Sequence, residues 1–155
     1  MRVFRLLISI AIPLLAAIIG SLFTVSALSG WYGSLAKPFF NPPNWLFAPV
    51  WTALYIMMGV ALYYVWESAA DRYQKQAAVT LFFVQLAVNV LWSILFFGLK
   101  LPLLAVFEII ILWLLIALTI SAFGRINKLS AILLWPYLAW VTFATFLNAA
   151  IVWLN

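Results

Sequence analysis

Apolar residues in this chain fill five long blocks separated by short polar breaks, with none of the two-residue alternation of a half-buried strand. The blocks run from Leu6 to Ala27, Trp45 to Trp66, Ala77 to Phe97, Pro102 to Phe123 and Ala131 to Trp153. Crossing ~30 Å of hydrocarbon takes a helix of about 20 residues, and every block reaches that length. Backbone groups in lipid find no water, so such blocks satisfy themselves as helices. The pattern predicts an all-α membrane protein, a bundle of five transmembrane helices in a single domain over residues 1–155. The widest break, Leu28 to Asn44, carries Gly, Lys, Pro and Asn and predicts a long, partly ordered loop between the first two helices. Pro49, Pro102 and Pro136 lie near span ends, where a missing N–H costs little, whereas Pro13 lies inside the first span and predicts a kink.

Composition removes the soluble alternative, because 69% of the 155 residues are apolar and only 7% are charged. A chain of this size cannot hide so much hydrocarbon in a water-soluble core, so a bilayer must act as solvent. The net charge of +5 comes from scattered basic residues without the stripe that tracks nucleic-acid phosphates, which leaves lipid headgroups as counterions. Arg2, Arg5, Arg72, Lys75, Arg125 and Lys128 fall on one side of the spans, and Lys37 and Lys100 on the other. The excess predicts a multi-pass protein of a bacterial cell membrane with a cytoplasmic N-terminus and the long loop outside. The first block also has the layout of a signal peptide, with Arg2 and Arg5 before it and Val25-Ser26-Ala27 as a cleavage motif, but its apolar run is long for one. Cysteine and histidine are absent, which excludes disulfides, thiol nucleophiles, Ser-His catalysis and a histidine ligand for haem iron.

Polar residues inside the spans carry the functional information, since each costs free energy unless it meets protein, water or ligand. Gln85, Asn89, Trp92 and Ser93 share one face of the third helix. The fifth presents Tyr137, Trp140, Ala144 and Asn148 at helical spacing, and the second presents Trp51, Tyr55 and Met58. Two readings stay open: Asn89 and Asn148 as interhelical packing bonds worth ~0.6 kcal/mol each, or an aromatic cavity for a flat apolar ligand. Glu108, about two turns into the fourth helix, reads as a protonated or paired carboxyl rather than a proton relay, because no second acid or histidine accompanies it. Trp45, Trp66, Trp135 and Trp153 suit interfacial anchoring. Trp31, Trp51, Trp92 and Trp140 do not, since one lies in the loop and three align with the polar stripes.

The run Trp31-Tyr32-Gly33-Ser34-Leu35-Ala36-Lys37-Pro38, then Asn41-Pro42-Pro43-Asn44-Trp45 and Pro49-Val50-Trp51-Thr52-Ala53-Leu54-Tyr55, resembles the first-loop and second-helix signature of the tryptophan-rich sensory protein and translocator protein family. Asn89-Val90-Leu91-Trp92 with Phe96-Phe97 is similar to its third helix, and Trp135-Pro136-Tyr137-Leu138-Ala139-Trp140 with Phe143-Ala144-Thr145 and Leu147-Asn148 to its fifth. The resemblance implies a homodimeric five-helix bundle whose loop caps a pocket for porphyrins and for isoquinoline or benzodiazepine ligands. Carried over by motif, the ligand-binding residues are Trp31, Tyr32, Pro42, Trp51, Tyr55, Asn89, Tyr137, Trp140 and Ala144, with Lys37 a second-rank partner for a propionate. Flat aromatic faces suit a planar tetrapyrrole.

No cofactor is required on this reading. Porphyrin is ligand or substrate, and with no histidine or cysteine a metal-free porphyrin, or haem held without axial ligation, is preferred. The resemblance further implies a light-dependent porphyrin-degrading activity as an alternative, with Trp31 and Trp140 as its catalytic residues. Transport of porphyrin, lipid or sterol ranks below both, because no internal repeat supplies an inverted pair. The family's sterol motif is missing from the end of the fifth helix, where Ala149 and Ala150 stand and no basic residue follows. The homodimer is assigned to the third helix through Ala77, Ala78 and Ala87.

Overall fold

The computed structural model describes residues 2–28 and 30–155. Helix α1 spans Arg2–Leu28, α3 Asn44–Glu67, α4 Arg72–Ser93, α5 Pro102–Ile126 and α6 Lys128–Leu154, with a one-turn helix α2 at Trp31–Ser34. A single π turn, Ile94–Gly98, continues α4. Among the described residues five helices are long and apolar enough to cross a membrane. They close into a ring in which α1 packs on α3 and α4, α3 on α6, α6 on α5, and α5 back on α4.

The helices outrun their apolar cores where polar side chains cap them. Asp71 accepts from the backbone N–H of Tyr73 at 2.9 Å and of Gln74 at 3.2 Å, starting α4. Asn127 does the same for α6 through Leu129 at 2.9 Å and Ser130 at 3.2 Å. Each cap satisfies donors that the first helical turn leaves orphaned.

The break between the first two spans is not the long loop that its Gly and Pro content suggested. Helix α2 interrupts it, because Trp31 and Tyr32 have a surface to pack on. Trp31 meets Phe96 edge-on with ring centroids 5.7 Å apart, and Tyr32 lies 5.6 Å from Phe97. Burying these two rings stabilises a turn that propensity alone would not form. Asn155 then ties the segment down: its side-chain oxygen accepts from the Ala36 N–H and its nitrogen donates to the Ala36 carbonyl, both at 3.0 Å.

Helix α1 continues through Pro13. A proline has no N–H for the carbonyl four residues back, here that of Ser9. Gly59 of α3 faces this carbonyl, and a Cβ built on Gly59 would lie 2.7 Å from it and 2.5 Å from the Ile10 Cα. The small residue is what lets the two backbones meet. Arg5 seals the same end with a 2.7 Å ion pair to Glu67, which Arg2 approaches at 3.7 Å.

Candidate functional site: an aromatic partition between two cavities

Away from the Gly59 contact, α1 and α3 diverge around a cavity of about 410 Å³ that also reaches α4. Its inner wall is aromatic, formed by Phe47, Trp51, Tyr55, Trp92 and Phe97, and its rim is Ile18, Ser21, Val25, Ala48 and Thr52. The rim residues are exposed, so the cavity opens sideways, toward lipid. This volume falls within the ~300–1,000 Å³ of typical ligand sites.

A second cavity lies deeper, in the ring's interior beneath α2. Tyr32, Trp51, Trp92, Trp140, Ala144 and Asn148 are among its lining residues, and it holds only about 20 Å³. That is room for about one water. Phe47, Trp51, Trp92 and Phe97 line both cavities. The two cavities therefore share a wall of four rings. The π turn contributes to the divider: the Leu99 N–H reaches back to the Ile94 carbonyl at 2.7 Å, and Phe96 and Phe97 are both buried. Trp92 stacks on Phe96 at 5.2 Å and meets Phe97 edge-on at 5.7 Å.

Behind the partition, polar side chains bond across the bundle. Tyr55 donates to the Asn89 side-chain oxygen, the Asn89 amide donates to the Tyr137 hydroxyl at 2.9 Å, and Tyr137 donates to Gln85 at 3.0 Å. The Trp92 indole donates to Asn148 at 3.2 Å, and Asn148 donates to the Pro102 carbonyl at 3.0 Å. Trp113 donates to Thr142 at 2.7 Å, joining α5 and α6. Asn89 and Asn148 are thus interhelical links, the plainer of the two readings open from sequence. Glu108 is buried, and its carboxyl oxygens have no hydrogen-bond partner among the described residues.

Of the residues carried over by motif, Trp51, Tyr32, Trp140 and Ala144 converge on the closed cavity, and Trp51 and Tyr55 on the open one. Asn89 and Tyr137 lie in the hydrogen-bond chain. Trp31 lines neither cavity and sits over Phe96, while Pro42 is buried in the cap, where its carbonyl accepts from Asn41. The Lys37 ammonium turns onto the cap itself, donating to the Gly33 and Leu35 carbonyls at 3.1 Å and lying 5.1 Å from the Tyr32 ring centre. Tyr32 donates to Asn41 at 2.7 Å, and burial pushes its hydroxyl up to about 12. The Trp140 indole nitrogen is buried without a hydrogen-bond partner among the described residues. Sequence reasoning missed the α1 wall altogether; its only signals were Gly20, Ser21 and Thr24, small or weakly polar residues inside an otherwise aliphatic span.

Fold and site define an integral, multi-pass membrane protein with a capped, aromatic interior. The chain matches the TspO/MBR family over residues 9–154 and belongs to it. It is 44% identical to the tryptophan-rich protein TspO of Chlorobaculum tepidum, covering 99% of this chain and 98% of that one. Identity to the tryptophan-rich protein TspO of Archaeoglobus fulgidus is 45%, over 100% and 99% of the two chains. Human translocator protein is 36% identical over 88% of this chain and 81% of its own length.

Proposed function

We propose that this protein is a membrane receptor for porphyrins of the protoporphyrin IX type and related flat apolar ligands, with a sensory or tetrapyrrole-regulating role. The observation that carries the reading is the four-ring partition: Phe47, Trp51, Trp92 and Phe97 line both the laterally open cavity and the capped interior. Trp51, Tyr55, Trp140 and Ala144 then contact the macrocycle, and Trp31, Tyr32 and Pro42 close over it. Asn89 and Tyr137 hold the floor. Membrane sensing or binding also accords with relatives such as the tryptophan-rich sensory protein of Cereibacter sphaeroides, 38% identical over 81% of this chain. The reading keeps a cytoplasmic N-terminus and, as the family resemblance implies, a homodimer contact along α4.

The unpartnered Trp140 indole facing the closed cavity favours a second reading, light-dependent porphyrin degradation with Trp31 and Trp140 as the reacting residues. One experiment tests both. Full-length protein in nanodiscs is titrated with protoporphyrin IX in darkness, following tryptophan quenching, and is then illuminated. Saturable binding at micromolar or lower concentration, weakened roughly tenfold by Trp51→Ala, is the expected result. Absence of saturable binding overturns the receptor reading. Bleaching in light that stops in Trp140→Phe while dark binding persists puts degradation first.

A further inference from the structure

A groove of about 290 Å³ runs between α4 and α5 at the end of the bundle farthest from α2. Alanines on both walls, Ala77 and Ala78 of α4 and Ala122 of α5, keep it open, with Leu81 further along. Behind it Phe82 and Phe123 stack at 5.7 Å, filling the space between the helices so that the groove stays a surface channel. The width left by small side chains suits a flexible hydrocarbon chain, and the position suits one lying among lipids.

The mouth of the groove is basic. Tyr73 and Gln74 stand on one lip and Arg125 on the other. Most charges at this end are already used: Arg2 and Arg5 face Glu67, Lys75 donates to the Ser68 carbonyl at 2.9 Å and the Trp66 carbonyl at 3.4 Å, and Asp71 caps α4. Arg125 has neither an ion pair nor a hydrogen bond among the described residues. A guanidinium at the membrane surface with no internal acid takes its counterion from outside, and its planar fork matches phosphate. Basic pockets between transmembrane helices are known sites for anionic headgroups.

We propose that this groove binds an anionic glycerophospholipid, with its phosphate at Arg125 and one acyl chain along Ala77, Ala78, Leu81 and Ala122. The inference is independent of porphyrin binding, which concerns the opposite end of the bundle.

The test is native mass spectrometry of the full chain released from detergent after equilibration with phosphatidylglycerol or phosphatidylcholine of identical chains. Phosphatidylglycerol is expected to be retained in preference, and Arg125→Gln to cut that retention roughly fivefold. Arg72→Gln removes the same charge from an exposed site outside the groove and is expected to change it little. Ala77→Leu, which fills the groove, is expected to lower retention of both lipids. Equal retention of the two lipids overturns the proposal, as do equal losses in the two arginine variants, which would mean diffuse surface charge. A shift from dimer to monomer in Ala77→Leu with lipid retention unchanged also overturns it, since the groove would then seat a second copy of the chain. If Arg125→Gln lowers only thermal stability, Arg125 serves the α5 terminus alone and the proposal fails.

Discussion

The seam between α1 and α3 is closed at one end and open at the other. Where Gly59 meets Ser9 and Ile10, the backbones touch, and a single methyl group has no room. Near Ala48 and Thr52 the same two helices stand around a cavity of about 410 Å³. Both halves belong to the same two membrane-spanning helices, so span hydrophobicity does not explain the contrast. The difference is steric: the closed half combines a glycine with a carbonyl freed by Pro13, and the open half carries large rings that prop the helices apart. Rigidity at one end lets the other hold empty volume without the bundle collapsing.

Gly59→Ala breaks this contrast most severely. Its Cβ would press on backbone that cannot rotate away, and overpacking of this kind costs about 1–3 kcal/mol. Gly20→Ala, beside the open half, meets the Ser93 hydroxyl at 3.2 Å, a side chain that can turn aside. Thermal unfolding of both variants in one detergent should show a clear loss for Gly59→Ala and little for Gly20→Ala; equal losses would mean that backbone contact does not lock the closed end. Asn89→Leu comes next, because it leaves the Tyr55 and Tyr137 hydroxyls without the shared amide, at a cost of about 1 kcal/mol. A double-mutant cycle with Tyr137→Phe should be non-additive, and strict additivity would dissolve the chain of bonds inferred between α3, α4 and α6. Tyr32→Phe should matter least, a few tenths of a kcal/mol, since the ring stays against Phe97. Burial holds the Tyr32 hydroxyl up to about 12, above its ordinary value, so its bond to Asn41 is intact below about pH 10 and is lost as pH rises through about 12. The cap's own contribution to porphyrin binding should therefore be flat across roughly pH 6 to 9, and a midpoint there that persists in Tyr32→Phe would assign the titration to another group.

Five spans were legible in the sequence because length and apolarity alone decide whether a helix crosses lipid. The polar stripes were legible too: Asn89, Tyr137 and Asn148 had to face inward, and they do. Their partners were not, since Trp92 reaching Asn148 depends on how two helices are rotated against each other. Helix α2 escaped because four residues carry no periodicity, and its stability comes from Phe96 and Phe97, more than 60 positions away in sequence from Trp31. The π turn escaped for a related reason, as one extra backbone unit per turn leaves no compositional mark. The open cavity lay hidden because empty space is set by what neighbouring helices fail to fill, and α1 offered no stripe of its own to point there.

The clasp between Asn155 and Ala36 spans 119 positions of sequence with two hydrogen bonds. It makes the cap and the last turn of α6 one mechanical part. Lifting the cap must release Asn155, and the same helix carries Trp140, Ala144 and Ile151 into the interior. Asn155 therefore acts as a latch for the cap, and the amide of Ala36, slow to exchange its hydrogen while clasped, reports by its exchange rate how often that latch opens.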